Sequence, residues 1–256
     1  MYKRYGRKLF PRELDQFMGK YKENLINAAR IYKEFLGDKQ IGYVYATEDN
    51  SLVEQSVLYV GSRFAHLTGL HFADDSRDTS FLWRVSTDQI DIDQLRTDGR
   101  KLPTAKLNLL AQFGQLVTGE TLTFDPHVEH LAKAQSTNIQ SGVLNTKDLF
   151  TGLRNMTDEA GLTLPATLLR ANSSNGLRDI EKNKIVAVYA HADENEEFKW
   201  YGLDTEFFNN IEQIRKLESV VGNALSLADL ENIPVIADLF RAPTPHEEIK
   251  VIDPFT

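Results

Sequence analysis

Apolar residues recur at spacings of three and four from Leu14 through Phe17, Met18, Tyr21, Leu25, Ala28, Ala29 and Tyr32 to Phe35 and Leu36. This pattern predicts an amphipathic helix over residues 11–36, opened by Pro11 and followed by Gly37. The pattern then changes. Residues 41–46 are rich in β-branched and aromatic side chains and end at Glu48-Asp49-Asn50, which predicts a strand, with residues 55–60 as its antiparallel partner. Residues 61–71 read as a short helical turn with Phe64, Leu67 and Leu70 on one side, and residues 91–95 as another turn. Residues 80–85 fit strand and helix equally.

A helix is expected from about Ala105 to Val117, with Leu107, Leu110, Phe113 and Leu116 or Val117 as its buried stripe and Gly119 closing it. Residues 121–124 read as a short strand. Residues 126–135 and 146–154 read as short helices, separated by a polar loop over 136–145. Residues 162–170 read as extended, and Pro165 argues for the start or edge of a sheet. The clearest strand is 184–190, paired as a hairpin with 198–202 across the acidic turn 193–197. Thr205 is placed to cap a helix to about Leu217. Residues 219–241 read as helical with a break at Pro234, and 242–256 as an extended tail with three prolines.

Together these elements predict an α+β fold: a small antiparallel sheet with an N-terminal helix and several packed helices. The expected organisation is an α+β core over 1–205, a helical extension over 206–241 and the tail over 242–256.

Composition narrows the function. A chain of 256 residues with 41% hydrophobic and 26% charged residues can bury a core. It contains no cysteine, which excludes disulfides, thiolate zinc sites and cysteine nucleophiles. No apolar run of about 18 residues occurs, and the basic N-terminus is not followed by a stretch of signal-peptide length, so a cytoplasmic protein without a membrane partner is expected. A net charge of −8 argues against a non-specific nucleic-acid coat protein but leaves room for a local basic cleft. The four cations of residues 1–10 and the acidic stretch 226–256 read as solvated ends.

Phosphate-binding loops, dinucleotide fingerprints and nucleophile elbows are missing from the sequence. His127 and His130 lie three apart with Glu129 between them, which offers a metal site as a weaker alternative to two surface histidines. His66 stands between Phe64 and Leu67, flanked by Arg63 and Thr68. On its own it reads as a histidine at the edge of the core.

The string Phe64-Ala-His66-Leu67-Thr-Gly69-Leu70 resembles the Phe-x-His-Leu-x-Gly-Leu signature of phage-associated nuclease domains of the Barnase–EndoU–Colicin–RelE group. The order of elements over about residues 11–205 is similar as well. The polar stretch around 136–146 and the helical C-terminus depart from it. The resemblance implies RNA cleavage by the 2′-hydroxyl, which needs no cofactor and no metal. It needs a base, an acid and cations to meet the charge that builds on phosphorus. His66 is then the general base or acid, Lys106 the electrophilic group with Thr104 beside it, and Arg63 or Arg170 the phosphate ligand. Tyr201 is assigned to stack a base or donate a proton.

Two functions follow. One is a metal-independent ribonuclease of a phage or mobile element, a toxin or defence effector acting on RNA. The other is an inactive nuclease-like module that binds a protein or nucleic-acid partner as an inhibitor or accessory factor.

Overall fold

The computed structural model describes residues 6–74, 79–119, 122–128, 131, 138–145, 149–156, 162–171, 177, 182–191 and 199–222. Its main sheet has eight strands: β2 (Lys39–Ala46), β3 (Leu52–Tyr59), β6 (Leu122–Asp125), β7 (Ser141–Asn145), β8 (Leu149–Asn155), β9 (Leu162–Arg170), β10 (Asn183–Ala190) and β11 (Lys199–Leu203). They run in the order β11-β10-β2-β3-β9-β8-β7-β6. A further pairing of β6 with β10, through Asn183 opposite Phe124 and Lys184 opposite Thr123, closes seven of them into a barrel. The buried Asn183 amide fastens this seam by donating to the Phe124 carbonyl at 3.2 Å. A second, antiparallel sheet joins β1 (Arg7–Lys8), β5 (Leu95–Thr97) and β4 (Leu70–Phe72).

The fold is therefore not the small sheet with packed helices that the periodicity predicts. The error lies in two segments. Residues 146–154, expected to be a helix, contain β8, and the end of the expected loop 136–145 is β7. The two strands pair as a hairpin with Val143 opposite Thr151. Each is buried on both faces, so neither alternates between apolar and polar residues as a half-buried strand does. His127, Val128 and Leu131 lie in a turn rather than a helix, with the Leu131 N–H on the Val128 carbonyl at 3.0 Å.

Other expectations match. The helix runs continuously over 11–36, with π-type turns at Phe17–Tyr21 and Tyr32–Leu36. β2 and β3 are antiparallel, and β10 and β11 form the late hairpin. The ambiguous 80–85 segment lies in a helix, Thr79–Ser86, and residues 104–118 are helical in three short pieces. The last described helix begins at Ile211, not near Thr205, because the Asn210 side chain caps it by accepting from the Gln213 N–H at 3.0 Å. The segments expected over 223–256 lie outside the described residues. Among the described residues, no helix is long and apolar enough to cross a membrane.

Side chains on one face of the strands, among them Ile41, Tyr43, Val57, Leu153 and Val188, join the N-terminal helix and the helices at 63–68, 79–86 and 104–118 in one apolar core. The opposite face of β2 and β10 packs against the 211–221 helix through Val44, Val186, Ile214 and Leu217. β9 sits between β3, which it meets in parallel, and β8. It is interior rather than at an edge, and Pro165 is tolerated because a bulge follows it. Gly152 opposes Thr167 and Leu153 opposes Pro165, which leaves Ala166 as an extra residue.

Candidate active site

The His66 segment is held by its apolar neighbours. The turn before it is anchored twice. The Asp38 carboxylate accepts from the Gly61 N–H at 2.9 Å, and the Tyr32 hydroxyl donates to the Val60 carbonyl at 2.9 Å. The helix Arg63–Thr68 then buries Phe64, Leu67 and Thr68 completely. Thr68 Oγ donates to the Ala65 carbonyl at 3.0 Å and accepts from the Leu70 N–H at 3.2 Å. Gly69 ends the helix at φ +74°, the left-handed region that glycine occupies without strain. A Cβ there would sit 3.3 Å from the Pro103 ring. Of the fixed positions in the Phe-x-His-Leu-x-Gly-Leu motif, only His66 is exposed. The rest of the motif is scaffold that presents this imidazole.

Lys106 reaches the same place from the helix Thr104–Leu109, whose Leu107 and Leu109 are buried. Its Nζ donates to the main-chain carbonyl of His66 at 3.0 Å. This is one of three ammonium donors, so two remain for a ligand. Upstream, Glu13 fixes the entry to this helix. Its carboxylate accepts from the Leu102 N–H at 2.9 Å while pairing with Arg7 at 2.6 Å. In the small sheet Leu70 opposes Thr97, which places Asp98 opposite Gly69 at the end of the His66 helix. Asp98 also lies 3.5 Å from Nδ1 of His71.

The electrostatics follow from this placement. His66 reaches solvent, yet the protein packed around it removes enough water to lower its pKa below the ordinary value. The charges of Lys106 and Arg63 lower it further, against a hydrogen bond to the Ala166 backbone and the charge of Asp98. Ala166 is the extra residue of the β9 bulge. Burial lowers the Lys106 pKa too, opposed by Asp98. An open cleft of about 300 Å³ adjoins the imidazole, lined by Leu58, Val60, Ser62, Arg63, His66, Met156 and Leu164. The site thus combines an imidazole biased toward its neutral, proton-accepting form with two cations and a cavity.

The other sequence candidates do not converge there. Thr104 is the first residue of its helix, not its cap. It lies two positions from Lys106 and so on a different face. Arg170 is exposed at the far end of β9, opposite Leu149 and four residues beyond Ala166. Tyr201 is buried at 1% exposure, edge-on to Phe35 at 5.8 Å. His127 lies on the loop after β6, and His130 is outside the described residues. Among the described residues, no group of three metal-ligating side chains occurs.

Sequence reading missed Asp98 and Ala166. Asp98-Gly99 is an ordinary turn pair, and only the sheet register brings it to His66. Ala166 acts through its backbone, and its one sequence signal is the adjacent Pro165.

A second polar cluster lies on β3 and beside β10. His191 Nε2 contacts Glu54 Oε1 at 2.9 Å and Ser56 Oγ at 3.1 Å. One nitrogen faces both groups. A hydrolase relay needs the serine and the carboxylate on opposite ring nitrogens, so this is a structural tie between strands.

No curated protein and no solved structure matches the chain. The profile of the family described as phage-Barnase-EndoU-ColicinE5/D-RelE like nuclease4 matches residues 24–206, a span that holds Arg63, His66, Asp98, Lys106 and the whole seven-stranded barrel. The match covers well over half of the chain, and on that ground the protein belongs to this family of phage-associated nuclease domains.

Proposed function

We propose that this nuclease domain is a metal-independent endoribonuclease of a phage or mobile element that acts on RNA in the cytoplasm as a toxin or defence effector. The observation that carries the reading is the placement of two cations, Lys106 and Arg63, beside His66, with His66 and Arg63 lining one cleft, in a chain of net charge −8. Lys106 and Arg63 both disfavour an imidazolium at His66, an anion bound beside the ring offsets that effect, and a phosphodiester is the anion a nuclease binds.

In this mechanism neutral His66 takes the proton of the RNA 2′-hydroxyl, and the freed oxygen attacks phosphorus. Lys106 and Arg63 meet the charge on the phosphorane. The bond to the 5′-oxygen breaks, and that oxygen takes a proton from the Lys106 ammonium, whose release burial makes easier. The products are a 2′,3′-cyclic phosphate and a 5′-hydroxyl. The nucleophile is part of the substrate, so no metal-activated water is required.

The test is total RNA incubated with the purified protein, with and without EDTA, beside His66→Ala and a single-stranded DNA control. Cleavage that survives EDTA, ends in cyclic phosphate, spares DNA and vanishes in the variant is the expected result. Cleavage of DNA, or loss with EDTA, excludes this mechanism. Intact RNA in every lane makes the inactive binding module the better account.

A further inference from the structure

The cleft beside His66 has more apolar wall than phosphate chemistry needs. Arg63, His66 and Ser62 supply its polar side chains, while Leu58, Val60, Leu164 and Met156 line the rest. A phosphate gains nothing from four aliphatic side chains. A flat, weakly hydrated ring does. Tyr201, the aromatic that the sequence offers for stacking a base, is sealed in the core against Phe35. The cleft therefore offers the apolar surface beside the reacting groups that Tyr201 cannot.

Ser62 gives a second, independent sign. It occupies the cap position of the His66 helix, where a serine hydroxyl ordinarily accepts from an N–H of the first turn. Here the backbone of Ser62 is itself helical, at φ −63° and ψ −19°, and its hydroxyl makes no capping bond. It lines the cleft instead. A hydroxyl both donates and accepts, so it can read the polar edge of a ring lying between the aliphatic walls.

Resting on the ribonuclease reading above, we propose that this cleft is a nucleobase site. Leu58, Val60, Leu164 and Met156 sandwich the base of a nucleotide flanking the scissile phosphate, and Ser62 hydrogen-bonds its edge. A volume of about 300 Å³ suits one base with part of its sugar and lies at the low end for small-ligand sites. A base enters such a site only when it has left its stack, so the substrate is unpaired RNA, a loop or single strand, and a duplex is resistant.

Met156 supplies the probe. The chain has three methionines, Met1, Met18 and Met156, and of the two among the described residues, Met18 and Met156, Met156 lines the cleft. Methyl-labelled protein is titrated with the four nucleoside 3′-monophosphates. It is also titrated with a single-stranded RNA carrying a 2′-deoxy sugar at each position, and with its blunt duplex. The expected result is a saturable ring-current shift of the Met156 methyl with at least one nucleotide and with the single strand, no such shift at Met18, and none from the duplex. Ser62→Ala, which removes only an unused hydroxyl, weakens the preferred nucleotide by about five-fold relative to the others.

A Met156 signal that no nucleotide or strand moves overturns the base site, and so does equal binding of the duplex. This failure is separable from failure of the nuclease reading. Cleavage of RNA with a silent Met156 leaves the chemistry and removes the pocket, whereas a shifted Met156 with RNA intact leaves the pocket and removes the chemistry.

Discussion

The ammonium of Lys106 is bonded to the main-chain carbonyl of His66 at 3.0 Å, so the candidate site's cation is fastened to the backbone of the residue that carries its imidazole. The bond also satisfies a carbonyl in the last turn of the Arg63–Thr68 helix. One side chain thus joins two helices and sets the charge around the imidazole. It follows that the titration of His66 reports the state of Lys106. Replacing Lys106 by Met removes a cation that lowers the His66 pKa, and Asp98→Asn removes a carboxylate that raises it. The ring proton of His66, followed by NMR, is expected to titrate at higher pH in the first variant and at lower pH in the second. Identical titration in all three proteins excludes the electrostatic coupling.

The same shift fixes the shape of the pH–rate profile. The folded-state pKa of His66 lies below its ordinary 6.5. A general base is active when unprotonated, so kcat/KM rises with pH through a midpoint below 6.5. His66→Ala loses about 100- to 10,000-fold and the ascending limb with it. A profile that falls through this range instead assigns His66 as the acid.

Arg63 and Arg170 are both arginines near β9, but only Arg63 borders the cleft. Arg63→Gln is expected to weaken RNA binding and to reduce the slope of log affinity against log salt by about one phosphate's worth. Arg170→Gln and Tyr201→Phe leave cleavage within about two-fold, since neither residue reaches the imidazole. A large loss from Arg170→Gln places the RNA path along β9 instead.

Glu13 carries the clearest acid dependence. Hydrogen bonds from Arg7, and from the Phe10 and Leu102 N–H groups, hold its pKa at about 2 against the ordinary 4.5, over the opposing effect of burial. A depressed carboxylate stabilises the fold only while charged. Its contribution is complete above about pH 4.5 and is lost as pH falls toward 2. Glu13→Gln costs about 2 kcal/mol near neutrality. The gap in melting temperature between the two proteins narrows from pH 5 to pH 2. A gap that stays constant with pH shows that the charge is not the stabilising element.

The reach of the sequence can be judged from these same residues. The N-terminal helix was legible because its stripe repeats through 26 residues and both ends carry stop signals. β2, β3, β10 and β11 were legible because β-branched runs meet turn residues. The β7–β8 hairpin was not, since burial on both faces erases alternation, and with it went the barrel. At the candidate site, the sequence points to His66 through the motif and to Lys106 through the helix that bears it. Their proximity to Asp98 depends on the register of Leu70 with Thr97, and Ala166 acts through a carbonyl that every residue possesses. Neither leaves a mark in side-chain chemistry.

The seam between Phe124 and Asn183 bears on when the candidate site comes to exist. β2 pairs with β3 nearby in sequence, but its other neighbour is β10, so Ile41 meets Ala190. β3 in turn meets β9 through Val57 and Thr163. The strand that leads into the His66 helix, β3, therefore has its second neighbour only once β9, ending at Arg170, has been made. Contacts this distant in sequence form slowly, because the intervening chain must first be ordered. A nascent nuclease domain of this topology would thus pass the ribosome, itself built of RNA, before its candidate site is assembled, and the order of its strands delays that site until β9 and β10 have been made.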